Sequence, residues 1–413
     1  MHCQFCKKNI ENPVFDLGNT AVSNDLIIKK NLHSIENTYP LIFHVCPSCL
    51  LAQTEQYRDG YEIFSDDYVY FSSCSNYWLE HAKQYVELII KKLNLTKGSF
   101  VLEIASNDGY LLTNFVEKNI ECLGVEPTKS TAIEAVKKGV KTLVEFFNVK
   151  TSKNIVADFG KADLIIANNV LAHVPDINDF VSALKGVLKD DGVVTIEVPH
   201  VLKLIEKSEF DTIYHEHFFY FSVLSLTNIL DAHDLSIYDI DELDTHGGSI
   251  RVYVTHVGND IDKNNSKENL NRVLNKELKY GLDSLEYYEQ LKDNSFEIKL
   301  NSLKYLINKK ISNKKIAAFG AAAKGNTFLN YCGIKNNIID FVVDETPFKI
   351  GKYLPQSKIP IFPFDKILEV RPDIIIILPW NHKEEIVKKL SFVKDWGAII
   401  VVFIPKFEVL NLE

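Results

Sequence analysis

Apolar positions recur along the chain with two periods, and the switches between them mark out its elements. From 77 to 94 the period is helical: Trp78, Ala82, Tyr85, Leu88, Ile89 and Leu93 fall on one stripe. Residues 99–104 then form a short apolar run of the kind that is buried on both faces of a parallel sheet. The stretches 121–125, 163–167 and 192–197 repeat it, with helical patterns between them. Such alternation predicts a doubly wound sheet that takes its ligand at the carboxyl ends of its strands. The alternation returns at 315–319, 338–343, 373–378 and 398–403, predicting a second, smaller Rossmann-like sheet. Between the two sheets, Leu270, Val273, Leu274 and Leu278, then Phe296, Leu300, Leu303 and Ile307, stand at helical spacing and predict one or two long linking helices. The expected fold class is α/β. Its domains are a small amino-terminal unit at 1–65, a central Rossmann-like domain at 66–256, a helical linker at 257–312 and a Rossmann-like domain at 313–413.

Composition narrows the partners. With 413 residues, 46% hydrophobic and 24% charged, the chain has the make-up of an ordinary globular protein of two or three domains. A net charge of −9 argues against a nucleic-acid partner, which calls for a basic patch or stripe. No apolar run reaches the length of a membrane-spanning helix, and Met1-His2-Cys3 opens without a basic region leading into an apolar core. A monomer in the cytoplasm, away from membranes, is therefore expected. Four of the seven cysteines form two pairs, Cys3-x-x-Cys6 and Cys46-x-x-Cys49, while Cys74, Cys122 and Cys332 are scattered. Each Cys-x-x-Cys turn aims two thiolates at one point, and two turns complete a tetrahedral zinc site with no open position. The metal is expected to be structural.

Candidate chemistry gathers at strand ends. The first strand of the central domain carries Glu103 and runs into Ala105-Ser106-Asn107-Asp108-Gly109, a small and polar loop suited to close approach of a ligand. Glu126 ends the second strand, where a carboxylate can hold a ribose diol. The loop lacks the three-glycine spacing that lays backbone against a pyrophosphate, so S-adenosylmethionine fits it better than a dinucleotide. Asn168 and Asn169, after the next strand, are placed to line the methionine or ribose side. His173 either faces the substrate or caps a helix start. Downstream stands Tyr214-His215-Glu216-His217, followed by Phe218-Phe219-Tyr220-Phe221-Ser222. His246-Gly247-Gly248 precedes an alternating strand, its glycines permitting close backbone approach and its histidine within reach of the same substrate.

Taken together, these motifs resemble the sugar C-methyltransferase family of deoxysugar biosynthesis, and the resemblance runs over essentially the whole chain. The paired cysteines match its zinc-binding domain, residues 103–109 its cofactor loop, Gly124-Val125-Glu126-Pro127 its ribose strand, and Gly320-Ala321-Ala322-Ala323-Lys324-Gly325-Asn326 its C-terminal domain. The resemblance implies methyl transfer from S-adenosylmethionine to a carbon beside the ketone of a nucleotide-linked 4-keto-6-deoxy sugar, with C-3 ahead of C-5. It implies His217 as the base. Tyr214 and Glu216 orient the sugar, stabilise the enolate or tune the imidazole. Tyr70 would join them at the sugar, with Tyr68 and His215 on the substrate side. The C-terminal domain would hold the nucleotide: Lys324 and Asn326 at phosphate or sugar oxygens, Asp344 near ribose or base, Trp380 and Asn381 at a strand's carboxyl end. Three alternatives compete: a nicotinamide-dependent oxidoreductase or epimerase of the same sugars, a sugar O-methyltransferase, and a zinc-bearing interaction protein. The first lacks the Tyr-x-x-x-Lys pair such enzymes carry, since Phe218 stands where Tyr214 would need a lysine. The last leaves the His/Tyr cluster without a purpose.

Overall fold

The computed structural model describes residues 1–58, 71–74, 76–261 and 267–410. In chain order its strands begin with β1 (Phe15–Thr20), β2 (Tyr39–Val45) and β3 (Ala52–Thr54). The central strands are β4 (Phe100–Ile104), β5 (Glu121–Val125), β6 (Thr142–Leu143), β7 (Ala162–Asn168) and β8 (Leu188–Pro199). Then come β9 (Phe219–Tyr220), β10 (Leu235–Leu243) and β11 (Ser249–His256). The central sheet has the order β10-β11-β8-β7-β4-β5-β6. Strands β4 to β8 are parallel, and β11 runs against both its neighbours. Every residue of β4 is buried, as an apolar run between two helical layers requires. The helix Asn76–Leu93 packs on this sheet through Trp78, Ala82, Tyr85 and Ile89, whereas Leu88 of the expected stripe is 46% exposed.

The C-terminal sheet is built from β12 (Ile316–Phe319), β13 (Phe341–Val343), β14 (Ile361–Phe362), β15 (Ile374–Ile377), β16 (Ile399–Val402) and β17 (Glu408–Leu410). Its order is β14-β13-β12-β15-β16-β17, parallel except at β17. Two helices, Glu268–Tyr280 and Leu285–Ile311, join the sheets, with Gly281 in the left-handed region between them. The second helix turns Tyr288, Leu291, Ser295, Ser302 and Leu306 inward. Phe296, Leu300 and Ile307, expected on its packed face, are outside instead, because the buried stripe uses two serines that a purely apolar count passes over. Glu277 ties the first helix down. Fully buried, it accepts from the backbone N–H groups of Val223 (2.6 Å) and Leu224 (2.9 Å), which open the helix Val223–Asp231, and its Oε1 lies 2.6 Å from His200 Nε2.

The amino-terminal sheet has the order β1-β2-β3-β9, so its last strand comes from the middle of the chain. Ala52 pairs with Tyr220 and Gln53 with Phe219. Phe15, Leu17, Leu41 and Phe43 share one apolar cluster with the C-terminal sheet, and Leu51 shares another with the central sheet. The first 58 residues thus pack against both larger domains.

The cysteine pairs sit in two matching turns. Lys7 N–H donates to Cys3 O and Leu50 N–H to Cys46 O, and Lys7 and Leu50 both take positive φ. Cys3 Sγ lies 3.6 Å from Cys49 Sγ, and Cys6 Sγ 3.5 Å from Cys46 Sγ. All four sulfurs fall within 4.8 Å of one another. Four sulfurs about 2.3 Å from a zinc ion stand about 3.8 Å apart, so the cluster fits a tetrahedral thiolate site. Gln53 Nε2, on β3, donates to Cys3 Sγ at 3.3 Å and couples the site to the strand that pairs with β9. Among the described residues no other group of His, Cys, Asp and Glu is arranged to hold a metal. The zinc is structural. A Cys46→Ser variant is expected to lose its zinc and to open residues 1–58 to limited proteolysis, checked by metal analysis and digestion. Full zinc content in that variant contradicts the assignment.

Candidate active site

A cleft of about 1310 Å³ opens where the three domains meet. Its first wall is the carboxyl edge of the central sheet. After β4 the chain turns sharply, with Ala105, Asn107 and Gly109 at φ of 55°, 50° and 74°. This geometry brings Asn107 N–H to Glu126 Oε2 (2.9 Å), while Thr128 N–H reaches Glu126 Oε1 (2.9 Å). Burial pushes the Glu126 carboxyl up, and these two donors oppose the shift. Asn168 and Asn169 face the same space, and both side-chain carbonyl oxygens are buried without a donor. Two orphaned acceptors beside a carboxylate call for a ligand rich in N–H and O–H groups, which the ribose hydroxyls and ammonium of S-adenosylmethionine supply. Phe146 and Phe147 add an apolar face to this end.

Two residues of the expected cofactor set do not line the cleft. Glu103 is buried within the sheet, and burial, with Glu126 and Asp108 nearby, raises its carboxyl well above the usual range. Asp108 turns away, pairing with Lys138 at 2.9 Å and accepting from Ser73. Glu103 points into a helical layer, as side chains of a parallel strand do, and Asp108, in the loop beyond the strand, is held back by Lys138 and Ser73.

The Tyr214–His217 turn forms the floor. Phe218, Phe219 and Phe221, at most 1% exposed, fix its downstream end, and each contributes about 1.5–3 kcal/mol of apolar burial. Phe218 N–H donates to Ala172 O (2.7 Å), Thr54 N–H to Phe218 O (3.0 Å), and Thr54 Oγ1 to His217 O (2.9 Å). The His217 ring is fixed at both nitrogens. Nδ1 lies 3.1 Å from Thr212 O, an acceptor, so Nδ1 carries the proton and Nε2 accepts from the Tyr214 hydroxyl at 2.7 Å. Burial, with His173 close by, holds His217 well below the usual histidine range, and the imidazole is neutral. His173 packs its ring 4.7 Å from that of His217 and donates from Nδ1 to Glu216 O at 2.5 Å. Glu216 is buried, and burial pushes its carboxyl up to about 7. Its Oε1 accepts from Asn24, while Oε2 has no partner.

His215 does not join this group. The turn aims it outward from the cleft, at Pro40 O (3.2 Å) and between the rings of Tyr39 and Tyr57. It anchors the turn to the amino-terminal domain. His246 does reach the cleft, at φ 53°, with its ring 5.0 Å from Trp78 and its pKa lowered by burial to about 4. Gly247 follows at φ 93°, and a Cβ there would stand 2.4 Å from Glu209 Oε1, so only glycine fits. Tyr68 and Tyr70 lie outside the described residues.

The opposite wall comes from the C-terminal domain. Lys324 enters from the first turn of the helix Ala323–Cys332, reaching Asn381 Oδ1 at 3.0 Å and lying 4.3 Å over the Trp380 ring. It faces two carboxyls that sequence reasoning missed, Glu209 and Asp211, which burial raises to about 8 and about 6. Trp380 points away from the cleft and donates from Nε1 to Asp211 at 2.8 Å. Asn326 is wholly buried inside its helix and does not reach a ligand position. Asp344 accepts from Ala321 N–H (2.7 Å) and Thr346 N–H (2.8 Å) and lies 3.5 Å from Lys349 Nζ, shaping the loop below. Of the expected C-terminal set, Lys324 and Asn381 line the cleft. Phe348, Lys349 and Lys352 join them from a turn without regular structure, where periodicity gives no signal. From the amino-terminal domain come Asn24, Asp25 and Arg58, the last two paired at 2.5 Å.

Three family models match the chain in succession: a zinc binding domain over residues 3–64, a methyltransferase domain over 78–240 and a C-methyltransferase C-terminal domain over 244–405. The C-methyltransferase NovU of Streptomyces niveus is 29% identical over 411 residues, spanning 100% of this chain and 97% of that protein. Among solved structures, an S-adenosylmethionine-dependent methyltransferase of Clostridium acetobutylicum aligns at 16% identity and a TM-score of 0.35, over 44% of this chain and 92% of that one. The magnesium protoporphyrin IX methyltransferase of Synechocystis with bound SAH aligns at 16% identity and 0.35, over 48% and 91%. The chain thus carries in one polypeptide a zinc binding domain, a methyltransferase domain and a C-methyltransferase C-terminal domain, and over its full length it is similar to a C-methyltransferase.

Proposed function

We propose that the protein methylates a ring carbon beside the ketone of a nucleotide-linked 4-keto-6-deoxy sugar, C-3 ahead of C-5. The observation that carries this reading is the neutral His217, hydrogen-bonded to Tyr214 in a cleft whose walls differ in charge. The central and amino-terminal walls carry Glu126, Asp176, Asp179 and the Asp25–Arg58 pair, with Glu209 and Glu216 raised by burial to about 8 and about 7. The C-terminal wall carries Lys324, Lys349 and Lys352 and no acid among the described residues. A cationic cofactor and an anionic diphosphate would each meet the wall of opposite sign.

When bound, S-adenosylmethionine supplies an electrophilic methyl group. Everything else falls to the chain. Glu126, Asn168 and Asn169 hold the ribose and the amino-acid end. Lys349 and Lys352 take the diphosphate, which brings the sugar over the Tyr214–His217 turn. The carbon beside the ketone loses its proton to His217 Nε2, and the C–H electron pair becomes an enolate. Tyr214 turns its O–H from Nε2 to the ketone oxygen, where charge is developing. The enolate carbon then forms its bond to the methyl carbon as the carbon–sulfur bond breaks. His217 suits the first step because burial keeps Nε2 unprotonated while Thr212 O fixes the tautomer.

The reading is tested with a panel of nucleotide 4-keto-6-deoxy sugars and labelled cofactor, the new methyl being located by NMR. A C-methyl at C-3 is expected; an O-methyl product, or none across the panel, contradicts it. His217→Ala is expected to bind both ligands in calorimetry yet lose about 10²–10⁴-fold in turnover. Near-full turnover would remove His217 from the base role. Replacing Lys349 and Lys352 together by Ala is expected to raise KM for the nucleotide sugar about tenfold or more, leaving KM for the cofactor unchanged. Equal effects on both constants contradict a diphosphate site on that wall.

A further inference from the structure

Glu216 is held by a residue from outside its own domain. Asn24 reaches its Oε1 twice, through Nδ2 at 3.0 Å and through the backbone N–H at 3.2 Å. The other oxygen, Oε2, is buried, has no partner, and belongs to a residue on the cleft wall. Two donors on one oxygen fix the plane of a carboxylate and leave the second oxygen free to accept from a ligand.

Asn24 is itself fixed. It lies in a tight turn, with Asp25 N–H on Val22 O (3.1 Å) and Leu26 N–H on its own carbonyl (2.8 Å). On both sides of this turn the segment is tied to the C-terminal domain. Before it, Asn330 donates to Thr20 Oγ1 (3.0 Å), Ala21 N–H to Gln356 Oε1 (3.0 Å), and the hydroxyls of Ser23 and Thr327 meet at 3.4 Å. After it, Ile27 exchanges backbone hydrogen bonds with Tyr353 (2.9 and 2.8 Å), and Lys358 donates to Leu32 O (2.9 Å). These contacts are more than a linker from a zinc knot would need. They set one amide against one carboxylate at the centre of the molecule.

We propose that Asn24 is a positioning residue for methyl transfer: it saturates Glu216 Oε1 and so aims Oε2 at a hydroxyl of the bound sugar. This rests on the reading of the cleft as a sugar C-methyltransfer site. On this account the zinc-bearing amino-terminal domain completes the active site and does not serve the fold alone. The charged and titratable groups around the Glu216 carboxyl are Asp25, itself paired with Arg58, and Tyr220; His173 meets its backbone carbonyl. Glu216's own backbone N–H favours the ionised form, and Asn24 adds to it through both of its donors.

The test compares wild type with Asn24→Ala and with the isosteric Asn24→Asp, in the full-length zinc-loaded protein. Difference infrared spectra against Glu216→Gln follow the carboxyl of Glu216 without any substrate. Its titration midpoint is expected to rise by about half a unit or more in Asn24→Ala, and further in Asn24→Asp, where an acceptor replaces the donor. In turnover, the acidic limb of the kcat profile is expected to move up in parallel. At neutral pH kcat should fall about tenfold, with KM for the cofactor and the melting temperature unchanged. An Asn24→Asp protein with wild-type midpoint and kcat overturns the proposal, as does a loss of kcat explained by lowered melting temperature alone. Failure of the wild type to methylate any keto sugar defeats the substrate reading instead, and the infrared midpoint tells the two failures apart.

Discussion

The pairing of β3 with β9 is the interaction on which the site depends. β9 begins two residues after His217, and among the described residues it has no partner strand within the central domain, where only the next residue, Phe221, makes an isolated bridge to His200. Its edge is completed by a strand that starts three residues after Cys49. A two-residue strand cannot hold itself in place, so the domain the zinc organises shares with Ala172 O and Thr212 O in fixing the His217 turn. Thr54 makes the link literal, with its N–H on Phe218 O and its hydroxyl on His217 O. The cysteine cluster is thereby tied to a turn more than 150 residues along the chain.

Burial does the rest of the tuning, and it acts in opposite directions on bases and acids. His173, His217 and His246 are all pushed below the ordinary histidine range, so the cleft is lined by neutral imidazoles that can accept a proton. Glu209 and Glu216 are pushed up, to about 8 and about 7, so neither carries a full fixed charge near neutral pH. Cationic side chains face the cleft from Arg58 on one side and from Lys324, Lys349 and Lys352 on the other.

Much of this was legible in the sequence. The strands at 99–104 and 121–125 fall within a residue of β4 and β5, because uninterrupted apolar runs ending in polar loops admit few other readings. The cysteine pairs were equally plain, since their spacing is dictated by tetrahedral coordination. Within the site, spacing revealed the cluster but not its directions. Neighbours in a turn diverge, and so His215 points to Pro40 while His217 points to Tyr214. The C-terminal loop misled in another way. Asn326 and Asp344 sit where a Rossmann loop would present ligands, yet helix phase buries the first and backbone amides consume the second. Asn24, Glu209 and Lys349 carry no local signature, because contacts between domains leave no period in a single sequence.

The central claim is that His217 removes a proton from the carbon to be methylated. It is tested most directly by holding the protein in D2O with S-adenosylhomocysteine and a nucleotide 4-keto-6-deoxy sugar, and following the ring protons by NMR. The account predicts exchange of the proton at C-3 in the wild type and its loss in His217→Ala. Exchange that survives that substitution undiminished, or none in the wild type, would contradict it.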